Sequence, residues 1–320
     1  MPSSQGTILI TGANGGLGSA IVTNILGKTQ LASNYTGVYT VRSAVTATRL
    51  QQVLKSAPGC HRHDVVDLDL SSLASVRTMV TGINRRVAAG DLPPIRALIL
   101  NAGYQDHEEI EAGLMSKPWH TSKITFVDNV RSINDERNNT NIKCYTGYDS
   151  LFPGPEELAK GTWSRPDSGG GWLTGYRRYG ASKLCAVMLM HELAGRLVQD
   201  PQLSNIAVVG LDPGAMGSDL HRRGSFVMSH VLKILAPVIS LQARFKPNGD
   251  FRPLWKSAED AIRLALETET PTGELLYLNG TDELETGREA KDDAKRKALW
   301  SYGLKAAGIQ RDDTILNGWQ

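Results

Sequence analysis

A tyrosine and a lysine separated by three residues form the pair in this sequence that is best suited to proton transfer. Tyr179 and Lys183 stand in the segment Tyr-Gly-Ala-Ser-Lys, and residues four apart on a helix project from the same face, one turn apart. A tyrosine phenol loses its proton at a pH of about 10, but a neighbouring ammonium group favours the phenolate and lowers that pKa. The pair therefore predicts an acid and its activator.

A glycine-rich turn near the N-terminus indicates a phosphate-binding loop. It follows the apolar run Thr7–Thr11 and precedes Ser19–Leu26, where apolar residues recur at helical spacing. Glycines in the order G-x-x-x-G-x-G let the backbone pass close to a pyrophosphate, while the first amides of the helix point at its charge. The alternative is a tight turn without a ligand. The residues expected to contact the ligand are Gly12, Asn14, Gly16, Leu17 and Gly18.

Strands and helices alternate through the first hundred residues, which predicts a parallel sheet covered on both faces. The predicted strands are Thr7–Thr11, Thr36–Val41, a strand ending near Asp69, Ile95–Leu100, Ile206–Gly210 and Gly273–Leu278, and the predicted helices are 44–56, 72–89, Tyr179–Leu197, one opening at Ser257 and 288–304. We therefore expect a doubly wound, mainly parallel α/β fold, as one domain over residues 1–320.

Two segments depart from this regularity. Residues 104–175 are polar and rich in proline and glycine, and only Lys123–Val130 has a short apolar pattern. A long connection without regular structure is either functional or a sign against the assignment. Within 219–255, the stretch Phe226–Leu241 is apolar but short for a bilayer span. We interpret it as a lid or substrate-pocket helix pair, with membrane-surface contact as the lesser alternative.

Composition and charge exclude several classes of function. The formal net charge of +2 over 320 residues gives no electrostatic reason to expect nucleic acid. The three cysteines lack a C-x-x-C spacing, so neither a disulfide framework nor a metal site is expected. The N-terminal residues are polar, without the charged and apolar parts of a secretory leader, which predicts a cytoplasmic protein.

In their order along the chain, these motifs together with Asn101-Ala-Gly103 and Pro213-Gly214 closely resemble the short-chain dehydrogenase/reductase family. Leu151–Gly161 resembles an insertion of members similar to retinol dehydrogenases and protochlorophyllide reductase. The resemblance implies a Rossmann-type fold and hydride transfer between a nicotinamide cofactor and a carbonyl or alcohol. It also implies that Tyr179 protonates the substrate oxygen, and that Lys183 lowers the tyrosine pKa and holds the nicotinamide ribose.

The end of the second strand bears on which cofactor is bound. An acidic residue there accepts hydrogen bonds from the ribose of NAD(H), whereas a basic one receives the 2′-phosphate of NADP(H). Arg42 occupies this place without an acidic residue nearby, which favours NADP(H), the alternative being a solvated charge. The further cofactor contacts that the resemblance implies are Asp69 and Leu70, then Asn101, Ala102 and Gly103, and finally Pro213, Gly214, Met216 and Ser218.

The sequence departs from the family pattern between the fourth strand and Tyr179. Thr125–Asn129 resembles the start of the family's central helix, whose asparagine helps to hold a proton-relay water, and this implies that role for Asn129. The chain then turns polar at once, as if a segment with the fifth strand had been deleted. The family's substrate-binding serine is absent from its usual place, and Ser132 is the remaining candidate.

The prediction is an NADP(H)-dependent oxidoreductase that interconverts a carbonyl and an alcohol on an apolar small molecule, in secondary or lipid metabolism. The alternative is a catalytically impaired pseudo-enzyme that binds NADP(H) and serves as a sensing or partner-binding module. Substrate, reaction direction and homo-oligomerisation are left open by these patterns.

Overall fold

A mainly parallel sheet forms the centre of the protein. The computed structural model describes residues 4–103, 123–127, 150–164, 172–216, 236–270 and 273–320. Its strands are β1 (Gly6–Ile10), β2 (Tyr35–Val41), β3 (His63–Asp67), β4 (Ile95–Leu100), β5 (Lys123–Val127), β6 (Ala207–Asp212), β7 (Leu276–Asn279) and β8 (Asp282–Glu283). Their order is β3-β2-β1-β4-β5-β6-β7-β8, in which β8 alone is antiparallel to its neighbour.

Helices connect these strands in the pattern of a doubly wound fold. They are α1 (Gly16–Gly27), α2 (Thr29–Asn34), α3 (Thr48–Leu54), α4 (Leu73–Ala88), α5 (Pro155–Ala159), α6 (Trp172–Gln199), α7 (Ala236–Phe245), α8 (Leu254–Ile262) and α9 (Asp293–Ala306). A π-helical turn, Arg263–Glu267, continues α8. The predicted α/β fold is confirmed, and the strand order reverses direction between β1 and β4, where ligands bind in such sheets.

Both faces of the sheet are covered by apolar side chains, as the alternation of strand residues requires. On one face, Ile8 and Ile10 belong to a buried cluster with residues of α1 and α8. On the other, Leu9 and Leu98 belong to a cluster with residues of α4 and α6. The strands are therefore held between two helical layers.

Strand β5 corrects the interpretation of residues 125–129. Lys123–Val127 pairs in parallel with both β4 and β6, for example through Ile124 opposite Leu98 and Phe126 opposite Gly210. The expectations that a helix begins at Thr125 and that the fifth strand is deleted are wrong. The segment consists of β-branched and aromatic residues after Lys123, and these types favour a strand. The strand lies between β4 and β6 and pairs with both.

The start of α8 also differs from the prediction. The helix begins at Leu254, with Pro253 as its N-cap residue, rather than at Ser257. The Ser257 hydroxyl donates to Pro213 O at 2.7 Å instead of capping the helix. A long-range contact has thus taken the hydroxyl that would cap a helix opening at Ser257.

Two cysteines and the hydropathy of the described helices bear on the environment of the protein. Cys60 and Cys185 are both free thiols, and burial raises the pKa of Cys185 to about 12. Within the described ranges no three His, Cys, Asp or Glu side chains are grouped as a metal site. No helix in the same ranges has the length and hydropathy needed to cross a membrane.

A half-buried histidine lies where α6 meets the C-terminal part of the chain. The His191 ring nitrogen Nε2 is 2.7 Å from the hydroxyl of Thr286. Burial lowers the pKa of His191 to about 4, and the positive charges of Arg296 and Lys291 act in the same direction. The folded protein therefore keeps this imidazole neutral at a pH where an exposed histidine is protonated.

The consequence is a loss of stability in mild acid. As the pH falls below about 6.5, the unfolded chain binds a proton that the folded chain takes up only near pH 4, so we expect a loss of about 2 kcal/mol by pH 5. Urea unfolding at pH 7.5 and pH 5 measures it, with His191→Gln as the comparison because it cannot titrate. An equal pH dependence in both proteins would contradict the assignment.

Candidate functional site

The predicted ligand-binding residues follow different strands but meet at one edge of the sheet. Gly12–Gly18 follows β1, Arg42 follows β2, Asp69 comes shortly after β3, and Asn101–Gly103 follows β4. Because these strands are parallel and Ile10 pairs with residues of both β2 and β4, their carboxyl ends lie side by side. The structure thus collects at one edge the residues that the sequence distributes over ninety positions.

Close packing at the first turn requires glycine at two positions. Gly12 has a φ of +68°, and a Cβ atom there would lie 2.9 Å from the Ala102 Cα. A Cβ atom on Gly18 would collide with Gly12 O and would lie 2.9 Å from Asn101 Nδ2. These glycines therefore let the start of α1 and the end of β4 pack directly against the turn.

Hydrogen bonds join this turn to the segment after β4. The Thr11 hydroxyl oxygen accepts from the backbone amides of Asn101 and Ala102, both at 3.0 Å. In return, Asn101 Nδ2 donates to Thr11 O at 3.0 Å. The side chain of Asn101 thus fixes the geometry between two loops, while Ala102 and Gly103 remain exposed at the edge.

The first turn of α1 is suited to a pyrophosphate. Its N-cap residue is Gly15, no side chain caps it, and no acidic residue lies in the first turn. The helix therefore presents backbone amides and the positive end of its dipole, from the turn that holds Gly16, Leu17 and Gly18. This is the arrangement that binds phosphate groups at helix N-termini.

Arg42 and Asp69 lie near one another beyond β2 and β3. The Arg42 side chain is exposed. Hydrogen bonds from Ser71 lower the pKa of Asp69, and the charge of Arg42 adds to the effect. Leu70, beside them, is 36% exposed. A guanidinium, a carboxylate and an apolar side chain are thus available on this side of the site.

The loop that carries Arg42 is anchored at two points. Asp67 Oδ1 accepts from the amide of Ala44 at 2.6 Å. Asn14 Oδ1 accepts from the amide of Leu50 at 3.0 Å, which ties the first turn of α3 to the glycine-rich turn. Asn14, predicted as a cofactor contact, therefore also has a structural task, and Asp67 was not singled out in the sequence.

Tyr179 and Lys183 lie on α6 as their spacing predicts. The Lys183 Nζ atom is 5.1 Å from the centroid of the Tyr179 ring. Ala181 and Leu184 between and beside them are buried, whereas Ser182 is exposed. The buried face packs the helix against the sheet. Tyr179 and Lys183 are one helical turn apart, and the helix backbone fixes their relative position.

Contacts that the sequence did not reveal hold the start of this helix. Ser164 is buried with a φ of +51°, and its hydroxyl accepts from Arg177 Nε at 2.8 Å. Arg178 donates to Ser164 O at 2.9 Å. The helix begins at Trp172, seven residues before the predicted start, so these arginines belong to it. Ser164 thus anchors the helix at the two residues that directly precede Tyr179.

The loop after β6 forms the other end of the site. Gly214 has a φ of +71°, and its amide donates to Asp212 Oδ1 at 2.7 Å. Met216, further along, is buried. Pro213 and Gly214 therefore lie in a turn whose geometry is set by a carboxylate of the preceding strand.

Three predicted site residues cannot be placed. Asn129, Ser132 and Ser218 lie outside the described residues. The remaining predicted residues are all at the carboxyl edge of the sheet or on α6.

The sequence has a close relative among known proteins. No protein-family model matches it. The short-chain dehydrogenase iccH of Talaromyces variabilis, however, is 38% identical over an alignment of 370 positions. The alignment covers 99% of this chain and 100% of that protein.

Solved structures with distant sequences have the same fold. A short-chain type dehydrogenase/reductase from Mycobacterium ulcerans is 12% identical, with a TM-score of 0.52 over 93% of this chain and 98% of that chain. The carbonyl reductase Sniffer of D. melanogaster is 16% identical, with a TM-score of 0.51 over 87% and 98%. A short chain dehydrogenase from Burkholderia cenocepacia J2315, in complex with NADP, is 17% identical, with a TM-score of 0.50 over 87% and 97%.

The structural matches bear on the fold alone, whereas the match to the Talaromyces protein extends over nearly the full length of both sequences. On that evidence, this chain belongs to the short-chain dehydrogenase/reductase family.

Proposed function

We propose that the protein is an NADP(H)-dependent oxidoreductase that interconverts a carbonyl and an alcohol on an apolar small molecule. The observation that carries the proposal is the Tyr179–Lys183 pair, with Nζ 5.1 Å from the ring centroid. Its helix packs on a sheet whose carboxyl edge holds the glycine-rich turn. The dehydrogenase relative from Talaromyces supports an oxidoreductase over the pseudo-enzyme alternative.

In the proposed reaction the cofactor supplies the hydride, and the protein supplies position and a proton. In the direction of reduction, the Tyr179 hydroxyl donates its proton to the substrate oxygen. The nearby Lys183 ammonium stabilises the phenolate that remains, because an opposite charge favours the ionised form. In the direction of oxidation the same phenolate takes the proton back.

The helper residues remain predictions. Strand β5 ends at Val127, and Ser132 follows five residues later, as the family's substrate-binding serine follows its fifth strand. We propose Ser132 for the hydrogen bond to the substrate oxygen. The relay role of Asn129 loses its basis, because strand β5 occupies the segment in which the helix was expected to begin. We propose Ser218 as a further cofactor contact, after Pro213, Gly214 and Met216 of the loop that follows β6.

The dinucleotide is proposed to lie along the carboxyl edge of the sheet. Gly12, Gly16, Leu17 and Gly18 would contact the pyrophosphate through the turn and the first amides of α1. Asp69 and Leu70 would border the adenine, and the exposed residues after Asn101 would border its ribose.

Arg42 is proposed to bind the 2′-phosphate of NADP(H). It is exposed at the end of β2, on a loop that Asp67 and Asn14 anchor. The dehydrogenase from Burkholderia is in complex with NADP, which supports the same cofactor here.

An apolar substrate is proposed from the segment 219–255, interpreted as a lid. In its described part, Val238, Leu241 and Phe245 of α7 are 61%, 58% and 81% exposed. A single domain over residues 1–320, a cytoplasmic location and a role in secondary or lipid metabolism remain predictions from the sequence.

Replacing Tyr179 tests the proposed chemistry. We expect Tyr179→Phe to lower the rate of NADPH oxidation with a panel of apolar ketones and aldehydes by at least about 100-fold, since general acid catalysis typically contributes that much. Tyr302→Phe, on α9, is the matched control and should leave the rate unchanged. Turnover by Tyr179→Phe at the wild-type rate would refute the assigned proton donor.

Replacing Arg42 tests the choice of cofactor. Intrinsic tryptophan fluorescence with energy transfer to the nicotinamide reports the binding of NADPH and of NADH. We expect the wild type to prefer NADPH, and Arg42→Ala to weaken NADPH binding about tenfold or more with little change for NADH, because a charged hydrogen bond contributes about 1.5–3 kcal/mol. Arg49→Ala on α3 controls for general loss of positive charge. Equal losses for both cofactors would count against Arg42.

A further inference from the structure

A cluster of buried charges lies beneath the loop that follows β6. The Arg252 side chain is fully buried, with Nη2 3.9 Å from Asp212 Oδ1 and Nη1 3.8 Å from Asp260 Oδ2. It also donates to Asn279 Oδ1 at the end of β7. Lys256 Nζ approaches Asp260 Oδ1 at 2.5 Å. Two buried carboxylates thus face two buried cations.

Arg252 touches the loop with both its side chain and its backbone. A Cβ atom on Gly214 would lie 2.5 Å from Arg252 Nε, so the glycine backbone rests directly against the guanidinium. The Arg252 amide donates to Ala215 O at 2.9 Å, and the Ala215 amide donates to Asp250 O at 2.7 Å. A larger residue at 214 has no room beside this arginine.

Two further backbone groups of the loop are bound by neighbours of the same cluster. Pro213 O accepts from the Ser257 hydroxyl at 2.7 Å, and the Gly214 amide donates to Asp212 Oδ1, the carboxylate oxygen that faces Arg252. Four backbone polar groups of the loop are therefore held by β6 and by residues 250–257. Proline contributes no amide that would need a partner.

The need to fill the space beneath the loop does not explain why charged rather than apolar side chains lie there. A buried ion pair loses its hydration and is often replaced by apolar residues without loss of stability. A planar guanidinium, however, has five donors in a fixed fork, so it can hold several groups in one arrangement. At this place the arrangement includes the loop that the proposed function puts at the nicotinamide.

We propose that Arg252 is a positioning residue that fixes the loop Pro213–Met216 at the nicotinamide end of the site. The inference rests on the proposed function. Strand β6, which precedes this loop, is separated from β1 by three strand spacings, about 14 Å. A change at Arg252 therefore perturbs the nicotinamide end and leaves the pyrophosphate turn and Arg42 intact.

The test compares a whole cofactor with a fragment that lacks the nicotinamide. Calorimetric titration of the full chain with NADPH and with 2′,5′-ADP separates the two ends of the site. For Arg252→Lys and Arg252→Met we expect NADPH affinity to fall about tenfold or more, with 2′,5′-ADP affinity within about twofold of the wild type. Arg252→Lys keeps the charge without the fork and should show the smaller loss.

Arg263 provides the matched control. Its guanidinium contacts Asp260 Oδ1 at 2.9 Å and Gly280 O at 3.2 Å, in the same charge cluster but away from the loop. We expect Arg263→Lys to leave the affinity for both ligands unchanged. A loss of NADPH affinity equal to that of Arg252→Lys would show that the cluster as a whole, rather than the contact with the loop, is responsible.

The remaining outcomes separate this inference from the proposed function. Unchanged NADPH affinity in folded Arg252→Lys, or parallel losses of NADPH and 2′,5′-ADP, would overturn the positioning role. Thermal unfolding identifies a variant that fails to fold, and failure of both Arg252 variants would reduce the arginine to a structural residue. A wild-type protein that binds neither ligand would overturn the proposed function itself.

Discussion

The hydrogen bonds between Thr11 and the Asn101–Ala102 backbone hold together the point at which the sheet changes direction. They join the end of β1 to the end of β4, where the two halves of the fold meet. Because Gly12 and Gly18 carry no side chains, the turn, the helix start and the Asn101 side chain fit into one small volume. The proposed pyrophosphate site depends on this contact, since it sets the direction in which the first amides of α1 point.

From that point the site extends in two directions, and the two halves differ in whether their charged side chains are exposed or buried. Toward β2 and β3, Arg42 is exposed and Asp69 is partly exposed. The side chains of Asp67 and Asn14 accept hydrogen bonds from backbone amides and hold the loop. Toward β6, the loop Pro213–Met216 rests on fully buried charges. Exposed charges remain able to bind a charged ligand group, whereas buried charges are already committed to one another and serve to fix the backbone.

The pair proposed for proton transfer, Tyr179 and Lys183, lies on a helix that is held in place differently. One face of α6 is buried against the sheet, and its first turns are tied to Ser164 through Arg177 and Arg178. Further along, His191 remains neutral between α6 and the C-terminal segment. The position of Tyr179 thus depends on residues that precede and follow it by many positions in the chain.

The local sequence determined most of the helices and strands of this protein, and long-range contacts determined how they pair and which side chains they bring together. Helical and strand periodicity within a few residues predicted that Tyr179 and Lys183 share one helix face and that Ile95–Leu100 is a strand. The glycine-rich turn could be predicted from the positions of its glycines. The strand at Lys123–Val127 could not, since its short run is ambiguous until β4 and β6 are present to pair with it. Nor could the task of Arg252, because its partners Asp212, Asp260 and Asn279 come from three separate elements that only the folded sheet brings together.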